Sequence, residues 1–196
     1  MKPRIRLALP TDSGAIADIY SPAITDNATS FEATPPDAAE MARRIESLRP
    51  LYPWLVCDED GAVVGYAYGS RHRERAGYQW SVEVSAYVHP AAQRRSIGKA
   101  LYTSLFSILA LQGFRNAYAG ITLPNAASEA LHKAVGFTTV GVFHNIGYKR
   151  GAWQDVVWLE RQLDDLVTEP PAPRPLADVV NEPAFYAALA AGETLL

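Results

Sequence analysis

Gln93-Arg94-Arg95-Ser96-Ile97-Gly98-Lys99 places two arginines, a serine and a glycine where an apolar strand gives way to a helix. The first turn of a helix carries N–H groups without intrahelical partners and a partial positive charge, so it favours an anion, phosphate above all. Small side chains at Ser96 and Gly98 let a bulky diphosphate approach the backbone, and the arginines add charge. Arginine at this end of a helix is electrostatically unfavourable unless it meets an anion. The competing reading is a basic helix start facing solvent.

Three further groups of residues are chemically capable. Glu83 stands with Ser81, Ser85 and Tyr87 on the polar face of a strand whose other face is Val82, Val84, Ala86 and Val88. It is a candidate base, or a glutamate paired with an arginine for structure. Arg71, Arg73 and Arg75 fall within one short loop, ordinarily a solvated turn. Beside a reaction centre they would clamp an acidic group, and Arg71 and Arg73 alternate so as to face the same way. Of the four histidines, His132 sits on a short helix, where a histidine is more often structural than catalytic. His72, His89 and His144 have less support, and no i, i+4 pair with a carboxylate suggests a metal site. The single cysteine, Cys57, excludes an internal disulfide or a cysteine-rich metal centre.

These residues need a scaffold, and its elements are legible. Arg4 to Leu9 alternates as a first strand, and a helix follows Pro10-Thr11-Asp12-Ser13 to about Tyr20. A second helix starts near Thr34-Pro35-Pro36-Asp37, with Thr34 as cap, and carries Met41, Ile45 and Leu48 on one face. Trp54 to Cys57 and Val63 to Gly69 flank the hairpin signal Glu59-Asp60-Gly61. After the strand Val82 to Val88, Ile97, Leu101, Leu105 and Ile108 define a long helix ending near Gly113. Ala117 to Ile121 is a strand, Ala126 to Val135 a short helix, and Thr138 to Ile146 and Val156 to Glu160 are further strands. Hairpins and helical crossovers are mixed, which predicts an α/β fold with a mixed sheet of about seven strands and helices on both faces.

The chain has 196 residues, enough for one domain with an appendage. Composition shifts after residue 161, dividing it into a domain of residues 1–161 and a proline-rich linker with a short extension, residues 162–196. Within the extension, Glu169 to Pro175 reads as extended and Ala184 to Ala191 as a short helix. With 18 Lys+Arg against 21 Asp+Glu and a net charge of −3, the basic excess of a nucleic-acid binder is missing. No apolar run approaches the roughly 18–20 residues of a membrane helix. The N-terminus does not read as a secretory signal, so the expectation is a cytoplasmic protein.

Gln93-Arg94-Arg95-Ser96-Ile97-Gly98 resembles the Gln/Arg-x-x-Gly-x-Gly/Ala signature of the GCN5-related (GNAT) N-acetyltransferases, with Ser96 in place of the usual first glycine. Asn125 to Phe137, beginning in Asn and ending in Gly-Phe, is similar to a second block of that superfamily. Four segments resemble its phosphinothricin and methionine sulfoximine acetyltransferase branch: Trp80-Ser81-Val82-Glu83 with Tyr87-Val88, Gln112-Gly113-Phe114, Leu123-Pro124-Asn125, and Gly147 to Val156. The resemblance spans residues 4 to about 161.

It implies transfer of acetyl from acetyl-CoA, with no metal, to the amine of a small amino acid or analogue. The sheet would splay between Val82–Val88 and Ala117–Ile121, and the freed backbone of Tyr87 and Val88 would hold the pantetheine and polarise the thioester. Gln93, Arg94, Arg95, Ser96, Ile97, Gly98 and Lys99 would hold the diphosphate, and Asn125 and Ser128 the pantetheine arm. Glu83 matches the glutamate regarded as the base, and His132 stands where many relatives carry a tyrosine that protonates the thiolate. Arg71 and Arg73 would hold the acidic group of the acceptor, with Phe31 walling its pocket. A homodimer is also implied. Other readings are a different small amine, a protein N-terminus, or a catalytically silent acyl-CoA-binding module.

Overall fold

The computed structural model describes residues 2–196. One sheet runs in the order β1-β2-β3-β4-β5-β7-β6. Its strands are β1 (Arg4–Leu7), β2 (Trp54–Glu59), β3 (Ala62–Arg71), β4 (Ser81–Val88), β5 (Asn116–Thr122), β6 (Thr138–Lys149) and β7 (Ala152–Gln162). The helices are α1 (Ser13–Thr25), α2 (Ala38–Leu48), α3 (Ile97–Gln112), α4 (Ala126–Ala134), α5 (Leu176–Val179) and α6 (Pro183–Ala190). Neighbouring strands are antiparallel except β4 and β5, which are parallel. This is the expected mixed α/β sheet.

Alternation along β2 assigns the two faces. Trp54 and Val56 pack with Ile16 and Ile24 of α1 and Met41 and Ile45 of α2. Leu55 and Cys57 pack with Leu101, Leu105 and Ile108 of α3. Those three α3 side chains are fully buried, each worth roughly 1.5–3 kcal/mol relative to exposure. The helix that follows the basic loop is therefore firmly seated.

Several boundaries differ from the sequence reading. β1 stops at Leu7. α1 continues past Tyr20 to Thr25 through Pro22, because Ala23 and Ile24 are buried against the sheet and hold the last turn in place. Asp37, not Thr34, caps α2, its carboxylate accepting from the Glu40 N–H at 2.7 Å. β6 and β7 pair as far as Lys149 and Ala152 because Arg150 (φ 54°) and Gly151 (φ 78°) make a tight turn between them.

Residues 163–175 have no regular structure, yet they are tied to the sheet and α3. The Trp80 Nε1–H donates to the Pro171 carbonyl at 2.7 Å, and the Arg174 N–H to the Gln112 carbonyl at 2.7 Å. Leu176, Val179 and Phe185 are buried in the same cluster as α3. The Glu193 carboxylate accepts from the Ile5 N–H at 2.8 Å, covering the edge strand β1. The sheet thus ends at Gln162, and the packed unit continues past it.

Candidate functional site

β4 and β5 pair only over three positions, Ser81, Val82 and Glu83 against Asn116, Ala117 and Tyr118. Beyond Glu83 they part: β4 stays with β3 as far as Val88 opposite Gly65, and β5 stays with β7 as far as Thr122 opposite Val156. The β5-side backbone of β4 beyond the fork faces no strand. A cleft of about 590 Å³ lies there, lined by Ile19 and Ala23 of α1, Tyr87 and Val88 of β4, the basic loop, and Asn125, Ser128 and Leu131. Glu83 and Tyr87 lie on one face, four residues apart, or about 13 Å along an extended strand.

At the other end of the cleft, Arg94 and Ser96 are both left-handed, each with φ 61°. Ser96 caps α3, whose first helical hydrogen bond is Ala100 N–H to the Ser96 carbonyl at 2.9 Å. The N–H groups of Ile97, Gly98 and Lys99 are left free of intrahelical partners, beside the cleft. Gly98 packs closely on α4: a Cβ there would lie 3.0 Å from Leu131 Cδ2, so the leucine side chain would have to shift to admit it. Gln93, Arg94, Ser96, Ile97, Gly98 and Lys99 all line the cleft. Arg95 does not. It turns away to pair with the Glu59 carboxylate on β2, which corrects its assignment to the anion site.

On α4, the Asn125 side chain accepts from the Ser128 N–H at 3.2 Å, fixing the start of the helix, and both residues line the cleft. His132, one turn after Ser128, is buried behind that wall with 5% of its surface exposed. Its Nδ1 lies 2.8 Å from the Ser128 carbonyl, which can only accept, so Nδ1 carries the proton. Nε2 accordingly accepts from the Tyr102 hydroxyl at 3.0 Å. Burial holds the imidazole below its ordinary pKa. Both ring nitrogens are engaged, Phe137 stands edge-on at 5.1 Å, and the ring itself does not line the cleft.

Glu83, half-buried, accepts from His72 Nδ1 at 3.0 Å, and Arg73 Nη1 stands 3.7 Å away. Arg71 is elsewhere. It pairs across the sheet with Val82, which puts it on the α3 face, and it lines a cavity with Tyr52. Arg71 and Arg73 both line a cavity of about 290 Å³ with Tyr52 and Tyr78, but only Arg73 comes within ion-pair distance of Glu83, because β3 ends at Arg71 and the chain turns out of the sheet after it.

The segment 29–32 closes one side of the cleft, which Thr29 lines. Tyr20 bonds Ser30 Oγ at 2.7 Å and Glu32 Oε1 at 2.8 Å, and Arg44 takes both Glu32 oxygens at 2.8 and 2.9 Å. The Arg44 guanidinium holds the Glu32 carboxyl below the usual range, so that carboxylate serves the loop. Lys149 donates to the Ser30 and Glu32 carbonyls at 2.5 and 2.9 Å. Phe31 lies across the backbone of Gly147, where any Cβ would overlap its ring. It thus packs on the β6–β7 hairpin and stays partly exposed.

The sequence reading underrated His72 and missed the α1 wall of Ile19 and Ala23. The α1 residues carry an ordinary core pattern, and His72 meets Glu83 only through the fold of the loop 72–80. Among the described residues no group of three His, Cys, Asp or Glu side chains could hold a metal ion.

The acetyltransferase (GNAT) domain family matches residues 5–158. The chain is 37% identical to phosphinothricin N-acetyltransferase of Streptomyces viridochromogenes, across 90% of this chain and 94% of that protein. It is 36% identical to L-methionine sulfoximine/L-methionine sulfone acetyltransferase of Salmonella typhimurium, across 82% and 95%. The structure is similar to that of a GNAT superfamily phosphinothricin acetyltransferase from Sinorhizobium meliloti in complex with acetyl-CoA. That comparison gives a TM-score of 0.82 at 37% identity, covering 87% of this chain and 94% of the other.

Proposed function

The chain belongs to the GNAT acetyltransferase family, and on that premise we propose that it transfers acetyl from acetyl-CoA to the primary amine of a small amino-acid-like acceptor such as phosphinothricin or methionine sulfoximine. The fork carries this reading. It opens a cleft with free helix-start N–H groups at one end, and Glu83 is the last paired position of the fork, four residues along β4 from the Tyr87 that lines the cleft. The residues present fit acetyl-CoA. Arg94, Lys99 and the amides of 97–99 suit a diphosphate, Asn125 and Ser128 suit the amides of a pantetheine arm, and the unpaired β4 backbone at Tyr87 and Val88 suits a thioester carbonyl.

The acceptor arrives as an ammonium and must lose a proton before it can attack. Glu83 takes that proton, directly or through water. The amine nitrogen then bonds the acetyl carbon, the C–S bond breaks, and its electron pair leaves on the CoA sulfur. The second nitrogen proton goes to the thiolate, so the products are the amide, the free thiol and one proton for solvent. Arg73, beside Glu83, is the cation placed to hold an acidic group of the acceptor, and Phe31 walls the pocket from the 29–32 side.

Thiol release from acetyl-CoA tests this reading against phosphinothricin, methionine sulfoximine, methionine sulfone and common amino acids. Turnover of at least one free amino-acid analogue is expected, with Glu83→Gln losing it. Acetylation of peptide N-termini alone would favour the wider-groove alternative. Acetyl-CoA binding without turnover of any amine would favour a silent binding module.

We assign the exposed hairpin β6–β7 to a second copy of the chain. β6 is the outer strand, and Val140, Val142, Phe143, Ile146, Tyr148 and Trp153 are exposed on this edge. An apolar edge of this extent is a pairing surface. Covering it would also support Phe31 and the 29–32 segment, which lean on Gly147 and Lys149. No helix among the described residues is long and apolar enough to cross a membrane. A buried free thiol at Cys57 and a slight acidic excess suit a cytoplasmic protein that does not bind nucleic acid.

A further inference from the structure

We propose that His72 is a positioning residue for Glu83: its Nδ1–H, together with Arg73, ties down one carboxylate oxygen and so makes the other the atom that takes the acceptor's proton. The inference rests on Glu83 being the base.

His72 Nδ1 lies 3.0 Å and Arg73 Nη1 3.7 Å from the same atom, Glu83 Oε1. Oε2 has no partner among the described residues. An ionised carboxylate oxygen only accepts, so the proton of the short contact is on Nδ1 of the histidine. Nε2 of the ring has no partner among the described residues. The ring itself cannot wander. It stacks on Tyr118 of β5 with centroids 4.5 Å apart and planes 17° apart, and meets Trp158 of β7 and Tyr78 edge-on at 6.0 and 6.1 Å. The charged groups about it are Glu83 and Arg73, with Glu160 beside Tyr118 as its register partner on β7.

This arrangement answers a problem set by the fork. Glu83 is the last β4 residue with a partner on β5, and its side chain is about a third exposed, 32%. A base must be held within hydrogen-bond reach of the proton it removes. Tyr118, the residue paired with Glu83 across the fork, supplies the platform for the ring, so the same three-residue pairing that ends the sheet fixes both the carboxylate and its holder.

Substitution separates the hydrogen bond from the stack. His72→Phe keeps an aromatic ring on Tyr118 and removes the donor; His72→Asn returns an N–H donor near the Nδ1 position. The expected result is a fall in kcat of about tenfold or more for His72→Phe, an unchanged KM for acetyl-CoA, and recovery of most of kcat in His72→Asn. Wild-type rates in His72→Phe, with Glu83→Gln inactive, would overturn the proposal and leave Glu83 as base. Full activity in Glu83→Gln would overturn the reading beneath it. Nitrogen NMR of the intact wild type gives an answer even where a variant fails to fold: a proton on Nδ1 is expected, and an unprotonated Nδ1 would refute the arrangement.

Discussion

The N–H of Gly192 reaches Ser104 Oγ on α3 at 3.0 Å, and the same hydroxyl donates to the Leu189 carbonyl at 2.7 Å. The two segments are so close that a Cβ at 192 would overlap the Ala100 carbonyl. A backbone oxygen in a seated helix cannot move aside, so Gly192→Ala must lift the C-terminal segment and expose the seats of Phe185 and Leu176. The expected loss is about 2–4 kcal/mol, read as a lower denaturant midpoint. An unchanged midpoint would mean that the segment is not held this way in solution.

The strand and helix order of residues 4–161 was readable because each element carries its own period: Met41, Ile45 and Leu48 on one helix face, Val82, Val84 and Ala86 on one strand face. The basic loop was readable because Arg94, Ser96 and Gly98 stand where helix α3 begins. The surroundings of individual site residues depended on partners distant in the chain. Arg95 is taken by Glu59, Arg71 by the α3 face, and His132 by Tyr102. None of these pairings leaves a local pattern. The extension is similar: its prolines read as a tether, while the packing that seats it rests on Gly192 and Ser104, separated by much of the chain.

Ser96 adopts φ 61°, a conformation that costs an L-residue with a Cβ roughly 1 kcal/mol. Ser96→Gly is expected to stabilise the protein by up to about 1 kcal/mol, with an unchanged or lower KM for acetyl-CoA. Arg94→Gly relieves the same strain but removes a guanidinium from the cleft, so KM for acetyl-CoA should rise severalfold. Thermal melts and acetyl-CoA titration of the two variants separate conformation from charge. A rise in KM in both would show that the serine hydroxyl binds phosphate.

The exposed hairpin predicts the oligomeric state. Replacing Tyr148 and Trp153 together by Glu places charge on an edge that a second copy should cover. Light scattering is expected to show a dimer for the wild type and a monomer for the double variant. A monomeric wild type at micromolar concentration would remove the assignment of this surface.

His132 should make stability depend on pH in a particular direction. Its folded-state pKa lies below the ordinary 6.5 because burial disfavours the cation. The unfolded chain therefore binds the proton first, and the contribution is complete above about pH 6.5 and declines as pH falls toward the folded value. The paired carboxylates Asp12 and Glu32, held below their usual range, are lost only at lower pH. Melting temperature should fall between pH 7 and pH 5 in the wild type and fall less in His132→Phe, which starts about 1–3 kcal/mol less stable because Tyr102 loses its partner. At neutral pH its kcat should stay within about threefold of wild type; a tenfold loss in folded protein would return His132 to the chemistry.

Arg71 and Arg73 line one cavity, but only Arg73 is paired with Glu83, and their alanine variants should separate. Arg71 lies opposite Val82 on the α3 face, so Arg71→Ala should leave the acceptor KM unchanged. Arg73 stands 3.7 Å from Glu83 with its guanidinium over Trp158 at 5.8 Å, on the side from which an acceptor must meet the base. Arg73→Ala should raise the acceptor KM by about tenfold, matching the 1.5 kcal/mol or more that a charge-assisted hydrogen bond contributes. Steady-state kinetics with the best acceptor of the panel decide it. Equal effects from both substitutions would mean that the loop recognises the acceptor as a diffuse positive surface, and loss from Arg71→Ala alone would place the acidic group of the acceptor on the opposite face of β3 from Glu83.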